Sequence, residues 1–309
     1  MSSIVFRNGP EYYKLRKILM YKPSKEVKDV NERNFKDLLF RRPPNYKLLL
    51  RQFDFFYDIM RSEGVEVILL NDLFEMVGWH PGYVPPNMMF MRDVLGVLED
   101  LVLIGNMRHE ARRLEPYIVR EVFSRMGFTN LHLLDGYTFF EGGDLIHLND
   151  NFLMVGYGPR TDFNGAYKIA EIALDKGLDV IIVSLPPFRV HLDGAMMPLE
   201  RDLVIANKTS ISYYPSLILY RDGEKRIDLL YNFLIDEGYE ILNVSDEETR
   251  EFGPNIVVIK RGRVLSYSWN REAIKMLNEY GIDVIEFNGS EYRNAGGGPH
   301  CIFNTVLRM

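Results

Sequence analysis

The 309-residue sequence contains one cysteine, Cys301, so it can form neither an internal disulfide nor a metal site that uses several thiolates. Its 24 glycines and 15 prolines are ordinary numbers for this length, and 47% of its residues are hydrophobic. This composition excludes collagen-like and disordered chains. Because a lone thiol is either an inert core residue or a reactive group, the setting of Cys301 carries much of the functional interpretation.

Charge of one sign is not concentrated anywhere in the chain. The 37 Lys and Arg residues are balanced by 43 Asp and Glu residues, and no dense basic run occurs, so no nucleic-acid partner is predicted. The longest apolar runs, such as VEVILL (65–70) and DVIIVSL (179–185), are far shorter than the ~18 residues that cross a bilayer. The N-terminus also lacks the features of a signal peptide. We therefore expect a cytoplasmic protein without a membrane partner, and homo-oligomer formation stays open.

Short apolar runs alternate with amphipathic segments along residues 1–309 without a Pro, Ser or Gly-rich linker, which predicts a single domain. Strands are predicted at 17–21, 65–70, 101–105, 130–134, 152–156, 179–183, 202–206, 216–220, 255–259, 263–267, 283–287 and 302–307. Helices that end at a glycine are predicted at 110–127, 162–177, 226–238 and 269–281. A recurrence at roughly 50 to 60 residues indicates related β-rich modules with one helix each, and four or five of them closing in a ring would fit the length.

Four segments place polar residues beside glycines or strand ends. In PNMMFMRD (86–93), a strand would place Asn87 and Asp93 on one face, although a strand end with Arg92 in a surface pair is the simpler interpretation of this segment alone. In FFEGGDLIHL, Glu141 follows two phenylalanines. Burying this carboxylate would be costly without a partner, and a solvated turn is the commoner explanation of such a segment.

The other two segments carry a histidine and the cysteine. In PPFRVHLDGAMM, a strand would point His191 and Asp193 the same way, which suits proton transfer beside a carboxylate, although a structural histidine in a turn is more frequent. In EYRNAGGGPHCIFNTVL, Cys301 stands at a loop–strand junction rather than within an apolar face. A nucleophile needs accessible sulfur and a stabilised thiolate, and this setting favours a reactive Cys301.

Together these segments offer a thiol, a base and several carboxylates, which are the groups needed for nucleophilic catalysis on a cationic substrate. No GxSxG motif is present, so serine hydrolase chemistry finds no support. The sequence contains neither HExxH nor a cluster of His and Cys residues, and its glycine runs match neither the dinucleotide nor the P-loop pattern. No metal and no cofactor is therefore predicted.

Four segments, in their order along the chain, resemble the motifs of the guanidine-modifying enzymes of the pentein fold. They are PNMMFMRD, EGGD, HLD and GGGPHC. The resemblance is strongest to arginine deiminase, with glycine amidinotransferase and dimethylarginine dimethylaminohydrolase as relatives. It implies an α/β fold, a five-bladed α/β propeller of ββαβ modules with pseudo-fivefold symmetry. This agrees with the recurrence of related modules along the chain.

The resemblance also implies a role for each catalytic candidate. Cys301 would be the nucleophile that attacks the guanidinium carbon, while Asp93 and Asp193 hold the guanidinium nitrogens. His191, oriented by Glu141, would protonate the departing ammonia. Water would then hydrolyse the covalent amidino-thioester with His191 as base.

The resemblance further implies how the substrate is chosen. In arginine deiminases an asparagine and two arginines hold the α-carboxylate of arginine, and the matching residues here are Asn87, Arg112 and Arg160. With all three present, free L-arginine is preferred over agmatine, and the predicted products are citrulline and ammonia.

Four alternatives stay open. The chain has no room between residues 40 and 86 for the helical subdomain of bacterial arginine deiminases, and Arg293 stands farther from the thiol than the gating arginine of some family members. Its length is closer to that of arginine dihydrolases, which release ornithine, CO₂ and two ammonia, and of amidinotransferases, which pass the amidino group to an amine. A binding protein without enzymatic activity on the same scaffold, and a thiol protease or amidase, have weaker support.

Overall fold

In the computed structural model, which describes residues 4–134 and 136–309, these residues form a mixed α/β fold of seventeen β-strands and nine α-helices. The strands are β1 (Leu15–Met20), β2 (Glu66–Leu69), β3 (Leu95–Leu98), β4 (Leu101–Ile104), β5 (Leu131–Leu133), β6 (Leu145–His147), β7 (Phe152–Tyr157), β8 (Asp179–Ser184), β9 (Met196–Pro198), β10 (Leu203–Ala206), β11 (Pro215–Leu219), β12 (Lys225–Leu229), β13 (Glu240–Asn243), β14 (Val257–Lys260), β15 (Arg263–Tyr267), β16 (Asp283–Phe287) and β17 (Phe303–Arg308). The α-helices are α1 (Tyr46–Ser62), α2 (Leu70–Val77), α3 (Leu114–Arg125), α4 (Phe163–Asp175), α5 (Lys208–Ile211), α6 (Leu230–Asp236), α7 (Asp246–Arg250), α8 (Arg271–Glu279) and α9 (Ser290–Asn294).

Within the described residues the strands form five sheets, and each sheet contains the same unit. An antiparallel pair is followed by a helical connection and a third strand, which lies parallel to the second. The five units are β3-β4-β5, β6-β7-β8, β9-β10-β13, β14-β15-β16 and β17-β1-β2. The last unit joins the two ends of the chain, because β17 pairs with β1. The hairpin β11-β12, inserted after β10, extends the sheet of the second unit by pairing with β8.

Successive residues of the central strands lie in different hydrophobic clusters, as the alternation of side chains along a strand requires. In β1, Ile18 belongs to the cluster that includes Leu265 of β15, whereas Leu19 belongs to the cluster of Ile104 of β4. In β10, Val204 and Ile205 likewise belong to separate clusters. Each sheet therefore contributes apolar side chains to the cores on both of its sides.

Every predicted strand overlaps a strand of the structure, and the four predicted helices overlap α3, α4, α6 and α8. The glycines predicted to end these helices, among them Gly177, have positive φ, a backbone conformation that glycine adopts without strain. The predicted helix at 226–238 is wrong in its first turn, since that turn belongs to β12. The 17-residue helix α1 was not predicted. No helix of the described chain is long and apolar enough to cross a membrane.

Candidate active site

Each of the four polar segments forms a short 3₁₀ turn directly before the first strand of a unit. For two of these turns the sequence pattern allowed a strand, which the structure does not contain there. The turns are Met91–Asp93 before β3, Gly142–Asp144 before β6, Leu192–Gly194 before β9 and Pro299–Ile302 before β17. The first turn contacts the second and the fourth, and the second contacts the third. The equivalent end of four units thus brings together residues that are more than 200 positions apart.

Two of the local predictions for these segments are wrong. Arg92 is not in a surface pair, because its side chain is buried and hydrogen-bonded to His300. Glu141 is not in a solvated turn either, since it has no exposed surface. In both cases the side chain is partnered inside the protein, which offsets the cost of burying a charge.

His191 lies between two buried carboxylates. Its Nε2 donates to Oε2 of Glu141 at 2.8 Å, and its Nδ1 is 3.4 Å from Oδ1 of Asp93. Burial disfavours the imidazolium, but Asp93 and the hydrogen bond to Glu141 outweigh it and raise the pKa of His191 to about 9. His191 is therefore protonated at neutral pH.

Glycine at position 143 makes this arrangement possible. A Cβ there would lie 2.8 Å from Cγ of the His191 ring and 2.9 Å from Oδ1 of Asp93, closer than such contacts occur. The next turn is fixed by Asp144, whose Oδ1 accepts a hydrogen bond from the backbone N–H of Leu192 at 2.9 Å. Burial raises the pKa of Asp144 to about 7. The EGGD segment therefore holds the histidine turn through both its glycine and its second acid.

Cys301 lies against an amide and a carboxylate. Its Sγ is 3.6 Å from Oδ1 of Asn255 and 4.0 Å from Oδ2 of Asp193, and 8% of the residue surface is exposed. Burial, followed by Asp193 and Asp93, raises the pKa of the Cys301 thiol well above its ordinary value. These surroundings do not stabilise a thiolate, and the sulfur carries its proton at neutral pH.

Seven of the eight predicted site residues line a single pocket of about 330 Å³. These residues are Asn87, Asp93, Arg112, Arg160, His191, Asp193 and Cys301. The eighth, Glu141, contacts the pocket through its hydrogen bond to His191. One cavity is therefore lined by the predicted nucleophile, the predicted base and two of the three predicted carboxylates.

Arg112 is paired inside the pocket wall. Its Nη1 donates to Oδ2 of Asp93, its Nη2 donates to Oε2 of Glu115 at 2.8 Å, and its Nη1 is 4.0 Å from Oε2 of Glu141. Burial raises the pKa of Glu115 to about 7, although Arg112 acts against this shift. Most donors of Arg112 are thus occupied by acidic side chains rather than turned towards the cavity.

The other two predicted carboxylate ligands have different surroundings. Arg160 donates from Nη1 to Oε2 of Glu141 at 2.9 Å, and its side chain is 11% exposed. Asn87 donates from Nδ2 to the carbonyl of Leu38 at 2.7 Å, which fixes the segment that brings Leu39 to the pocket wall. Arg160 therefore keeps partial access to the cavity, while Asn87 also supports its wall.

Asp93, Glu141 and His191 each offer an atom within 4.8 Å of the others, a spacing that could hold a metal ion. The guanidinium groups of Arg112 and Arg160 already place positive charge against both carboxylates. This charge pattern suits proton transfer better than the binding of a divalent metal cation.

The sequence predictions did not include Asn255 or His300 in the site. Asn255 accepts a hydrogen bond from the backbone N–H of His300 at 3.0 Å and donates to the carbonyl of Asp193 at 3.2 Å. It therefore connects the cysteine turn to the histidine turn. The adjacency of His300 to Cys301 was the available signal for the histidine, whereas the segment around Asn255 gives none.

A family model described as arginine deiminase matches residues 80–308, three quarters of the chain. The chain belongs to the arginine deiminase family. The predicted resemblance to guanidine-modifying pentein enzymes is thereby confirmed.

Two relatives illustrate the range of this family. The chain is 24% identical over 302 residues to the uncharacterized protein YkgA of Bacillus subtilis, with 96% of this chain and 94% of that protein covered. It is 23% identical to the arginine deiminase of Bacillus thuringiensis subsp. konkukian, with 96% and 97% covered. That alignment runs over 401 positions, more than the 309 residues of this chain, so the longer arginine deiminase contains segments that this family member lacks.

Solved structures of the same fold agree with this membership. The DDAH (dimethylarginine dimethylaminohydrolase) of Pseudomonas aeruginosa in complex with citrulline superposes with a TM-score of 0.72 at 20% identity, covering 96% of this chain and all of that one. The N-terminal domain of ArgZ, an arginine dihydrolase of cyanobacteria, superposes with a TM-score of 0.74 at 21% identity, covering 96% and 98%. These similarities confirm the α/β fold predicted for this arginine deiminase family member.

Proposed function

We propose that this protein hydrolyses the guanidino group of free L-arginine to citrulline and ammonia through a covalent amidino-thioester on Cys301. The observation that carries the proposal is the single pocket in which the lone thiol, a protonated His191 and two carboxylates face one cavity. Carboxylates on opposite sides of a planar cation bind it and orient it at once. Asp93 and Asp193 are suited to that task.

Binding of a cationic substrate also supplies the means of activating the thiol. Asp193 and Asp93 contribute to the raised pKa of Cys301, since their negative charge disfavours a thiolate. A guanidinium bound between them offsets that charge and lowers the thiol pKa, whereupon the proton passes to solvent water. The nucleophile is then formed when its substrate is present.

His191 would act first as an acid and then as a base. The thiolate adds to the guanidinium carbon, and His191 gives its proton to one NH₂ group, which leaves as ammonia when its C–N bond breaks. The neutral His191 next takes a proton from water as the hydroxide adds to the amidino carbon. The C–S bond then breaks, and loss of a proton gives citrulline. Glu141 orients the ring and favours its charged form in both steps.

The α-carboxylate of arginine would be bound by Arg160 and Asn87. Both residues line the pocket, and the side chain of Arg160 is partly exposed. Arg112 can join them only when its Nη1 leaves Asp93, since that carboxylate is also the proposed partner of the substrate. A substrate guanidinium carries the same charge and shape as that of Arg112. We therefore infer that it replaces Arg112 on Asp93 and frees Arg112 to turn towards the carboxylate end.

We also infer that the five units close into a five-bladed propeller of one domain over residues 1–309. Support comes from the pairing of β17 with β1 and from the hydrophobic clusters on both sides of the central strands. In such a ring the turns before the first strands meet near the axis, where the pocket lies. We propose a cytoplasmic location, where thiols such as the nucleophile Cys301 are kept reduced.

A second outcome, arginine dihydrolase activity, is favoured by one observation. The chain covers the solved ArgZ domain almost completely, and ArgZ is described as an arginine dihydrolase. In that reaction two ammonia, CO₂ and ornithine replace one ammonia and citrulline. Transfer of the amidino group to an amine is the third outcome of the same covalent step.

Product analysis decides between these reactions. Purified protein is incubated with L-arginine, with and without glycine, and the products are identified by mass spectrometry. We expect citrulline and one equivalent of ammonia, and no product with Cys301→Ala. Ornithine with two ammonia would establish the dihydrolase, and a new guanidino compound only with glycine would establish the transferase. Turnover by Cys301→Ala would refute the covalent mechanism.

A further inference from the structure

His300, the residue before the cysteine, lies between a buried cation and the carboxylate nearest to sulfur. Nη2 of Arg92 lies 2.8 Å from its Nε2, and Oδ2 of Asp193 lies 2.9 Å from its Nδ1. All three side chains are at least nine-tenths buried. The same Oδ2 of Asp193 is 4.0 Å from Sγ of Cys301. A chain of three side chains thus ends beside the nucleophile.

The chemistry of arginine fixes the direction of these hydrogen bonds. A guanidinium has only donors, so Nε2 of His300 must accept from Arg92. In a neutral ring the proton then stands on Nδ1 and is donated to Asp193. Arg92 therefore selects the tautomer of His300 that binds the Asp193 carboxylate, in the way that outer partners fix histidine ligands of metals.

Arg92 is itself held in place from several sides. It donates from Nη2 to Oγ1 of Thr305 at 3.3 Å, and its guanidinium carbon lies 5.3 Å from the centre of the Phe303 ring. Glu11, whose Oε2 is 3.9 Å from Nε2 of His300, is paired with Arg308 at 3.3 Å and supplies compensating negative charge. Arg92 is thus fixed by contacts to β17, far in sequence from Asp193.

We propose that His300 is a positioning residue that, under the control of Arg92, holds the Asp193 carboxylate in the orientation that binds the cationic group of the substrate beside Cys301. The proposal rests on the function proposed above, in which Asp193 holds the guanidinium. His300 touches no reacting atom in this scheme. Its effect passes through Asp193, because a carboxylate with one oxygen bound cannot rotate away from the cation.

The lone cysteine provides a direct test without turnover. Cys301 is alkylated with 2-chloroacetamidine, which is cationic, and with iodoacetamide, which is neutral, and each rate is followed by intact-protein mass. Because the chain has one cysteine, a single mass increase reports Cys301 alone. The ratio of the two rates measures how well the pocket holds an amidinium, whereas a general change in thiol reactivity alters both rates together.

Two amide substitutions of His300 separate its two hydrogen bonds. The amide of His300→Gln reaches the place of Nε2 and can still accept from Arg92, but it leaves Asp193 without a donor. The amide of His300→Asn reaches the place of Nδ1 and can still donate to Asp193. We expect H300Q to lower the rate ratio about tenfold or more, the effect of losing a hydrogen bond to a charged group, and H300N to recover most of it. An unchanged ratio in H300Q, or an equal fall in both variants, overturns the proposal.

If H300Q does not fold, a second pair of variants tests the same series of hydrogen bonds at Arg92. Arg92→Lys keeps an obligate donor to Nε2 of His300 and should keep most of the rate ratio. Arg92→Leu removes that donor, so the ring of His300 can carry its proton on Nε2 instead of Nδ1, and the ratio should fall several-fold. A folded R92L protein with the wild-type ratio contradicts the proposal. Wild-type turnover of L-arginine is measured separately, so that a protein without turnover counts against the proposed function, and an unchanged ratio counts against the role of His300.

Discussion

Nε2 of His191 lies 2.8 Å from Oε2 of Glu141, and both side chains are buried. The hydrogen bond gives the imidazole a partner that favours its protonated form. Asp93, which faces the other ring nitrogen at 3.4 Å, acts in the same direction. The site therefore contains a charged acid, His191, and an uncharged nucleophile, Cys301.

The pH dependence of turnover should show the raised pKa of His191. In the complex with L-arginine the bound guanidinium has lowered the thiol pKa, so the acid His191 limits the rate at high pH and kcat should fall as the pH rises through about 9. Glu141→Gln removes a stabilising charge, so this limb should move to lower pH and the rate should fall about 100-fold or more. Glu110→Gln, at an exposed acid, is the control and should leave the profile unchanged. An identical alkaline limb in E141Q would contradict the assignment.

The raised pKa of His191 should also make the thermal stability of the protein depend on pH. A histidine whose folded pKa is raised contributes stability that is complete below its ordinary pKa, about 6.5, and is lost as the pH rises through the folded value of about 9. Wild type should therefore exceed His191→Gln in thermal stability by more at pH 6 than at pH 10. Melting curves at the two pH values measure the difference. An advantage that grows towards pH 10 would show that the ring is buried neutral.

Gly143→Ala should damage catalysis. The added Cβ would come within 3 Å of the His191 ring and Oδ1 of Asp93, so one of them must move from its place in the pocket. We expect kcat/KM to fall about 100-fold, the effect of displacing a catalytic group by about an ångström. Gly82→Ala, where a Cβ meets nothing within 4 Å, is the matched control. Steady-state assays of both proteins check this, and full activity in G143A would refute the geometry.

The ion pair of Arg112 should matter far more to stability than that of its neighbour Arg113. Arg112→Leu leaves Asp93 and Glu115 buried without their cation, which should cost about 3 to 5 kcal/mol of unfolding free energy. Arg113→Leu breaks a pair with Glu110 that is largely exposed, and should cost less than about 1 kcal/mol. Urea denaturation of the two variants measures both values. Equal effects would mean that Arg112 is not held as the structure shows.

Arg160→Leu should change the choice of substrate. If Arg160 binds the α-carboxylate, the ratio of kcat/KM for L-arginine to that for agmatine should fall about tenfold to a hundredfold. The ratio cancels any effect of Arg160 on Glu141, because both substrates use the same catalytic groups. Arg108→Leu is the control, because the side chain of Arg108 is exposed and only its backbone N–H donates to Glu141, the acid that Arg160 also contacts. A constant ratio in R160L would leave the carboxylate to other residues.

Much of the fold could be predicted because its units repeat a local pattern. Buried strands such as β8 are continuous apolar runs, and helices such as α4 end at a glycine with positive φ, so both are visible in the sequence. The short strands β3, β6 and β9 were not predicted. Each has three or four residues and directly follows a polar turn, so no periodicity develops. The closure of the chain through β17 and β1 depends on pairing between its two ends and has no local signal.

The candidate site shows the same division. The motif order named Cys301, His191 and the three carboxylates, and their common location agrees with it. The protonation states could not be predicted, because they depend on burial and on charges brought from other units. Cys301 was predicted to be reactive, which needs a stabilised thiolate, whereas burial, followed by Asp193 and Asp93, raises the pKa of the thiol. Arg112 was expected to face a substrate carboxylate, and its observed partner is Asp93.

The sequence by itself determined the family and the identities of the chemical groups, since both depend on residue types in a fixed order. It also determined that one thiol is available, because no other cysteine exists. Only the tertiary structure decided which charges meet. It placed Arg92 and His300 behind Asp193 and carboxylates on both sides of His191, through contacts between turns that lie far apart in the chain. Electrostatic interactions act through space, so their effects on proton affinity become defined only when the units have packed together.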